Sequence, residues 1–276
     1  MQIRRHLTPG HFLHHNQAFL EQEEAANNLI LGLVDRYVQK ADFKPDDCLL
    51  YDFNVEDDPR FCAIQTPGRN LILYGQTEWC AQWMFLVALN FKGLHPDLPG
   101  VFGPTAQAKA FAEHWGGESE VRIEMAGWEL REVQDPRPAS GKFRKIGPED
   151  DAQVVEWCLA FSEEAMGRTA SADDWAKQVA AGRDRIYVWE DGEVVSMAFG
   201  RRHSRNMRNI GYVYTPPDRR GKGYASNLVA EMSKTFLTEG KQACTLFTNL
   251  ANPTSNKIYR ALGYTEVCTF SEIAFT

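Results

Sequence analysis

The chain has 276 residues, with 30 Lys and Arg against 37 Asp and Glu, a formal net charge of -7 and a pI near 5.6. At about 100 to 200 residues per domain, that length predicts two domains or one large one. A content of 43% hydrophobic and 24% charged residues excludes a collagen-like or wholly disordered chain. The acidic balance argues against a general nucleic-acid binder, which needs net cationic surface to displace counterions from phosphates.

Arg4 and Arg5 are not followed by an apolar segment of the signal-peptide kind. The most apolar stretch, residues 83–91, falls far short of the roughly 20 residues needed to span a bilayer. The expectation is a cytoplasmic protein with neither a membrane nor a nucleic acid as partner. Cys48, Cys62, Cys80, Cys158, Cys244 and Cys268 form no CxxC pair, so they are expected to be reduced, buried small residues.

In chain order, residues 11–39 read as helix, because Phe12, Phe19, Leu20, Ala26, Leu29, Leu33 and Val34 recur near helical spacing. Strand-like runs follow at 48–55, 61–65 and 70–74, the last two joined by a Thr66-Pro67-Gly68-Arg69 turn. Helix is expected at 77–91, where Trp79, Trp83 and Phe91 form a core-facing stripe, then a short segment at Val101, helix at 104–115 and strand at 121–133. The Pro, Ser and Gly of QDPRPASGK, residues 134–142, mark a linker. The predicted division is therefore domain 1–135, linker 136–142 and domain 143–276.

Beyond the linker, 148–165 and 172–181 read as helices, and 185–189 with 194–201 as a hairpin about Asp191-Gly192. Arg201, Arg202, His203 and Arg205 are expected in a loop, and 209–215 is a strand stopped by Pro216 and Pro217. The remaining elements are helix 223–237, strand 244–248, helix 253–262 and strand 265–275. The two halves repeat one order of elements, and Pro104 and Pro253, 149 residues apart, occupy matching segments.

Chemistry concentrates in VYTPPDRRGKGYAS, residues 213–226. A strand ends at two prolines, and a loop carrying Arg220, Gly221, Lys222 and Gly223 opens directly into an amphipathic helix. Glycines let a ligand approach the backbone, and the first helical turn offers N–H groups without partners plus the positive end of the dipole. That combination is an anion cradle suited to a pyrophosphate. Neither GxxxxGK[ST] nor GxGxxG is present, and RxxGxA remains, as Arg220, Gly223 and Ala225. In the second segment, NLANPTSNKIYRALGY, Asn252, Asn256 and Tyr259 stand at i, i+4 and i+7 and are expected to share a polar face, with Ile258 and Leu262 on the buried one.

Together these segments resemble the GNAT superfamily of acyl-CoA-dependent N-acyltransferases, over about the second half of the chain. The resemblance implies an α/β (α+β) fold of two tandem GNAT-like domains, each a mixed, mostly antiparallel sheet flanked by helices. It implies acetyl-CoA as cosubstrate, with the pyrophosphate at Arg220, Gly221, Lys222, Gly223, Tyr224, Ala225 and Ser226. Val213, Tyr214 and Thr215 would pair with the pantetheine arm and direct a backbone N–H at the thioester oxygen. Asn252 or Asn256 would contact the cofactor arm, and Tyr259 would protonate the departing sulfur. Many family members carry a Glu on the strand before the loop, whereas residues 209–215 hold no carboxylate; Glu163 and Glu164 are the candidates for taking the amine's proton. The function so implied is N-acetyltransfer to a primary amine, of a small molecule or a protein, by direct attack in a monomer or homodimer. The alternative is a non-catalytic CoA-binding regulatory protein.

The first half resembles the same fold without an RxxGxG/A loop, and Ala110 stands where Tyr259 does. It is expected not to bind CoA productively. His11, His14 and His15 sit at i, i+3 and i+4, with no carboxylate or Cys spaced to complete a site, so no metal is expected.

Overall fold

Alternating apolar strands and two-helix insertions build the chain twice over. The computed structural model describes residues 2–76, 80–167 and 169–276. The first pass runs β1 (Gln2–His6), α1 (Pro9–Glu21), α2 (Glu24–Val38), β2 (Leu49–Val55), β3 (Asp58–Gln65), β4 (Leu71–Gly75), α3 (Cys80–Leu94), β5 (Gly100–Pro104), α4 (Thr105–Trp115) and β6 (Ser119–Leu130). The second runs β7 (Lys142–Lys145), α5 (Asp151–Met166), α6 (Ala172–Ala181), β8 (Ile186–Asp191), β9 (Glu193–His203), β10 (Met207–Tyr214), α7 (Tyr224–Thr238), β11 (Ala243–Asn249), α8 (Pro253–Ala261) and β12 (Thr265–Phe275). Element for element, the order repeats.

Two compact units result, and both are discontinuous in sequence. Unit 1 holds Met1–Gly127, Asn249–Ala251 and Glu266–Thr276, and unit 2 holds Trp128–Thr248 and Asn252–Thr265. The linear division predicted at 136–142 does not separate them, because Phe270 to Ala274 of β12 pair antiparallel with β5 and so join unit 1. Within unit 1, β1 to β4 are antiparallel neighbours and β4 pairs with β5 in parallel. Its core gathers Phe53, Phe61, Leu73, Phe91, Val101 and Phe111, with Trp83 packed at the edge. Within unit 2, β7 to β10 are antiparallel and β10 runs parallel to β11. Helix α7 lies on β8, β9 and β10.

Several expectations shift at this level. The single helix expected over 11–39 is two, because the buried Asn27 side chain turns back to the Leu20 carbonyl at 2.9 Å across the break. Strands β1 and β7 are short and polar, QIRRH and KFRK, and carry no alternation strong enough to announce themselves. Arg201, Arg202 and His203 lie in β9 rather than in a loop. Residues 77–79, which include Trp79 and the expected start of α3, lie outside the described residues, as does the side chain of Cys80. Cys48, Cys62, Cys158 and Cys244 are buried free thiols and Cys268 is partly exposed. No helix among the described residues is long and apolar enough to cross a membrane.

In unit 2, β7 is fastened to α5 by charge. The Arg144 guanidinium grips both oxygens of Asp150, at 2.6 and 3.0 Å, and Asp150 also accepts the Gly147 N–H at 2.8 Å. The Arg144 contact holds the Asp150 carboxyl below its ordinary range. Asp150→Asn should therefore cost about 1–3 kcal/mol of unfolding free energy at pH 7. Because the native pKa is depressed, the wild-type advantage is present above about pH 4 and fades as pH falls through the native value. Denaturant titrations of both proteins across that range check it.

Candidate active site

The site begins where a strand pair separates. Met207, Arg208 and Asn209 of β10 pair with Ala243, Cys244 and Thr245 of β11, and registered pairing stops there although both strands continue. The Asn209 amide marks the last rung by donating to the Thr245 carbonyl at 3.2 Å. On its other edge β10 carries a bulge: Gly211 faces Phe199 and Tyr214 faces Met197, so two residues oppose one. Tyr212 takes the left-handed φ of 52° that the bulge requires, a conformation costing a tyrosine about 1–3 kcal/mol. Contacts offset that strain, since its ring lies 4.7 Å from Phe161, 4.9 Å from Trp175 and 5.5 Å from Phe199, with the Arg201 guanidinium at 4.7 Å.

The loop that follows is shaped by its own polar groups. Ser196 donates to the Tyr214 carbonyl at 3.0 Å, and Arg220 Nε to the Thr215 carbonyl at 2.9 Å. Gly221 and Gly223 then adopt φ of 79° and 85°, turning the chain so that α7 starts without a side-chain cap. The first backbone bond into α7 is made by Asn227, to the Gly223 carbonyl. Among the described residues, no acceptor meets the backbone N–H of Gly221 or of residues 223 to 226, while Lys222 closes the turn at Arg220 and Gly221. Five bare donors at the positive end of a 15-residue helix are a strong anion site. By contrast, α1, α6 and α8 are capped by Thr8, Ser171 and Asn252.

Side chains brace this loop from both sides. The Tyr224 hydroxyl donates to Asp191 at 2.7 Å, and Asp191 also accepts from Ser140 at 2.6 Å, tying the helix start to the β8–β9 turn. Arg219 pairs with Glu193 at 2.5 Å and Arg220 with Glu164 at 2.7 Å. Lys222 is exposed and makes no ion pair among the described residues.

Facing the loop, α8 presents an arrangement unlike the expected polar stripe. Asn252 is the cap, accepting the Ser255 N–H at 3.0 Å. Asn256 is buried and turned inward, accepting the Thr248 hydroxyl at 2.5 Å, while Thr248 in turn accepts the Trp128 indole N–H at 2.8 Å. Ile258, expected on the buried face, lines the cleft instead. The amide is satisfied inside, which lets the inward face be polar. Tyr259 is only 7% exposed, packs edge-on against Tyr264 at 5.8 Å, and none of the described residues hydrogen-bonds its hydroxyl. Burial pushes its phenol above the usual range, keeping the proton on oxygen.

A cleft of about 550 Å³ opens between these elements. Of the residues expected from sequence, it is lined by Val213, Tyr214, Thr215, Arg220, Gly221, Gly223, Tyr224, Ala225, Ser226, Asn252 and Tyr259. Lys222 and Asn256 do not line it. Of the two glutamates, Glu164 reaches the wall and Glu163 stays exposed on α5 outside it. Phe161 and Ala165 share the cleft with Glu164 at helical spacing, a signal readable in the sequence only once α5 is known to face β10.

Unit 1 repeats the strand separation but closes it. The Gln107 amide donates to the Gly75 carbonyl at 2.6 Å and accepts the Gly75 N–H at 2.8 Å, at the very end of β4. The Phe61 ring lies where a Cβ on Gly75 would stand, 1.9 Å from it. Gln107 is buried, and Ala110 follows it on α4 as Tyr259 follows Asn256 on α8.

Residues 190–272 match the family described as FR47-like protein. Among solved structures, the chain is similar over 99% of its length to a GCN5-related N-acetyltransferase from Sphaerobacter thermophilus, with TM-score 0.67, 14% identity and 95% of that chain covered. A Drosophila protein gives TM-score 0.69 at 15% identity, covering 99% of this chain and 98% of that one. A tandem GNAT protein from the clavulanic acid biosynthesis pathway gives 0.60 at 14%, with 99% and 98% covered. No curated protein matches the chain. The fold is that of two GNAT domains in tandem.

The inward reading of α8 is checked by Thr248→Val, which strips the indole N–H of its acceptor. It should cost about 1–3 kcal/mol in chemical unfolding. An unchanged midpoint would return Asn256 to the list of cleft residues.

Proposed function

We propose that unit 2 is an N-acetyltransferase that moves an acetyl group from acetyl-CoA to a primary amine by direct attack, and that unit 1 binds no coenzyme. The observation that carries the reading is the set of bare amides at Gly221 and residues 223 to 226 opening on a cleft that also holds an unpartnered phenol. Acetyl-CoA supplies an activated thioester and a diphosphate handle. The amides of Gly221 and residues 223 to 226 hold the diphosphate, with Lys222 adding positive charge at the loop's outer edge. The separated edge of β10 at Val213 to Thr215 offers backbone groups to the pantetheine amides, and a backbone N–H there faces the carbonyl oxygen on which charge builds. Tyr259 holds a proton on its hydroxyl and delivers it to the sulfur, a role favoured by burial because the neutral phenol persists beyond pH 10.

Glu164, rather than Glu163, is the carboxylate on the cleft and takes the proton that the attacking nitrogen loses, directly or through water. Its bond to Arg220 keeps it oriented at that wall. In unit 1 the Gln107 amide occupies both backbone groups of Gly75, which removes the strand edge a pantetheine arm would need.

Thiol release from acetyl-CoA with a panel of small amines and amino-terminal peptides tests the proposal. Tyr259→Phe and Glu164→Gln should each lower kcat by about 100-fold, and for wild type no alkaline limb from the phenol should appear below about pH 10. Gly221→Asp and Gly221→Asn are nearly the same size and both tolerate a positive φ. The aspartate should weaken CoA binding by at least about tenfold more than the asparagine, because it sets an anion among the amides. Equal affinities would remove the diphosphate assignment, and tight CoA binding without turnover of any amine would favour a non-catalytic binding protein.

A further inference from the structure

Unit 1 assembles a histidine cluster that the sequence separates. His11 and His15 are one turn apart on α1, and β1 brings His6 against them, with ring centroids 5.0 Å (His6–His11), 5.4 Å (His6–His15) and 4.4 Å (His11–His15) apart. One nitrogen from each ring lies within 4.8 Å of the others. We propose that His6, His11 and His15 bind one divalent transition-metal ion of the zinc class.

The surrounding bonds already select which nitrogens face the centre. His6 is 1% exposed, and its Nε2 lies 2.6 Å from the fully buried Asp52 carboxylate, which leaves Nδ1 toward His11. Asp52 is itself fixed by Asn54 at 2.6 Å and Asn16 at 3.3 Å. A buried carboxylate behind a ligating imidazole sets its tautomer and raises its basicity, the outer-shell arrangement typical of histidine metal sites. His15 uses Nδ1 to donate to the His11 carbonyl at 2.9 Å, so its Nε2 is the free nitrogen. Nδ1 of His6 and Nδ1 of His11 stand 2.9 Å apart and share a proton; a metal ion would take that proton's place.

Zn–N bonds of about 2.0–2.1 Å place tetrahedral ligand nitrogens about 3.4 Å from one another, so small ring rotations suffice. Three neutral nitrogens, one buried, one partly buried and one exposed, give a site with an entry path and a fourth position for water or an exogenous ligand. The nearby Arg4, 3.9 Å from Asp52, weakens the field for a cation without filling the site. The expectation from sequence that no metal binds rested on finding no further ligand near His11, His14 and His15, and the missing partners are His6 and Asp52. Such an ion would staple β1 to α1.

Tag-free full-length protein, freed of metal with a chelator, is titrated with Zn2+ against a chromophoric competitor and with Co2+ by visible absorption. One ion per chain is expected, with Kd of about 1 μM or tighter, intense Co2+ bands of a four-coordinate centre, and a raised Tm. His11→Gln and His15→Gln, both at least partly exposed changes that leave the fold intact by circular dichroism, should each weaken binding by at least about tenfold. His14→Gln should not. Failure to bind at about 100 μM Zn2+, or binding unchanged in the His11→Gln/His15→Gln double variant, overturns the proposal.

Discussion

Everything in unit 2 depends on a helix that begins with its donors bare. Backbone N–H groups without acceptors are costly unless water or a ligand meets them, and proteins ordinarily cap them. Helix α7 and its N-cap Gly223 leave the donors of residues 223 to 226 uncapped, and two glycines at positive φ are what place them there. The rest of the unit holds that start in place. Asp191 and Ser140 anchor Tyr224, Arg220 ties itself to the Thr215 carbonyl, and the buried residues Leu228, Val229, Met232 and Phe236 seat the helix on the sheet. The bulge at Tyr212 and the early end of β10–β11 pairing open a cleft directly in front of those donors.

The comparison of the two units shows how little separates an open cleft from a closed one. Both carry a parallel strand pair followed by helices in the same order. In unit 2 the side chain at the inward position of α8 is Asn256, which accepts the Thr248 hydroxyl. In unit 1 the longer Gln107 spans to the strand end and takes up both groups of Gly75, with Phe61 filling the space behind it. One methylene more in Gln107 than in Asn256, together with the Phe61 ring, accompanies the closed strand end in unit 1.

Much of this was legible in the sequence, for a physical reason in each case. Glycine spacing, the proline pair and an amphipathic helix fixed the loop at 213–226, because those residue types constrain the backbone locally. Helix α6 and strand β12 agree with their expected spans, and for α6 the Ser171 cap marks the start. What failed depends on tertiary packing. The sequence pattern put Ile258 inside and Asn256 at the site, and the buried Thr248 hydroxyl, which donates to the Asn256 amide oxygen, reverses them. Glu164 was distinguishable from Glu163 only by the rotation of α5, and His6 met His11 and His15 only after β1, a strand too short to be seen, paired with β2. The division at 136–142 missed that β12 completes unit 1, a pairing no local signal announces.

Hydrogen exchange reads the protons on the amides at the start of α7 directly. Exchange at residues 221–226 is followed with and without acetyl-CoA, with pantetheine, which lacks the diphosphate, as the control. Slowing by about tenfold or more at those amides with acetyl-CoA and none with pantetheine is the expected result. Protection confined to other segments, or equal protection by both compounds, would contradict the account.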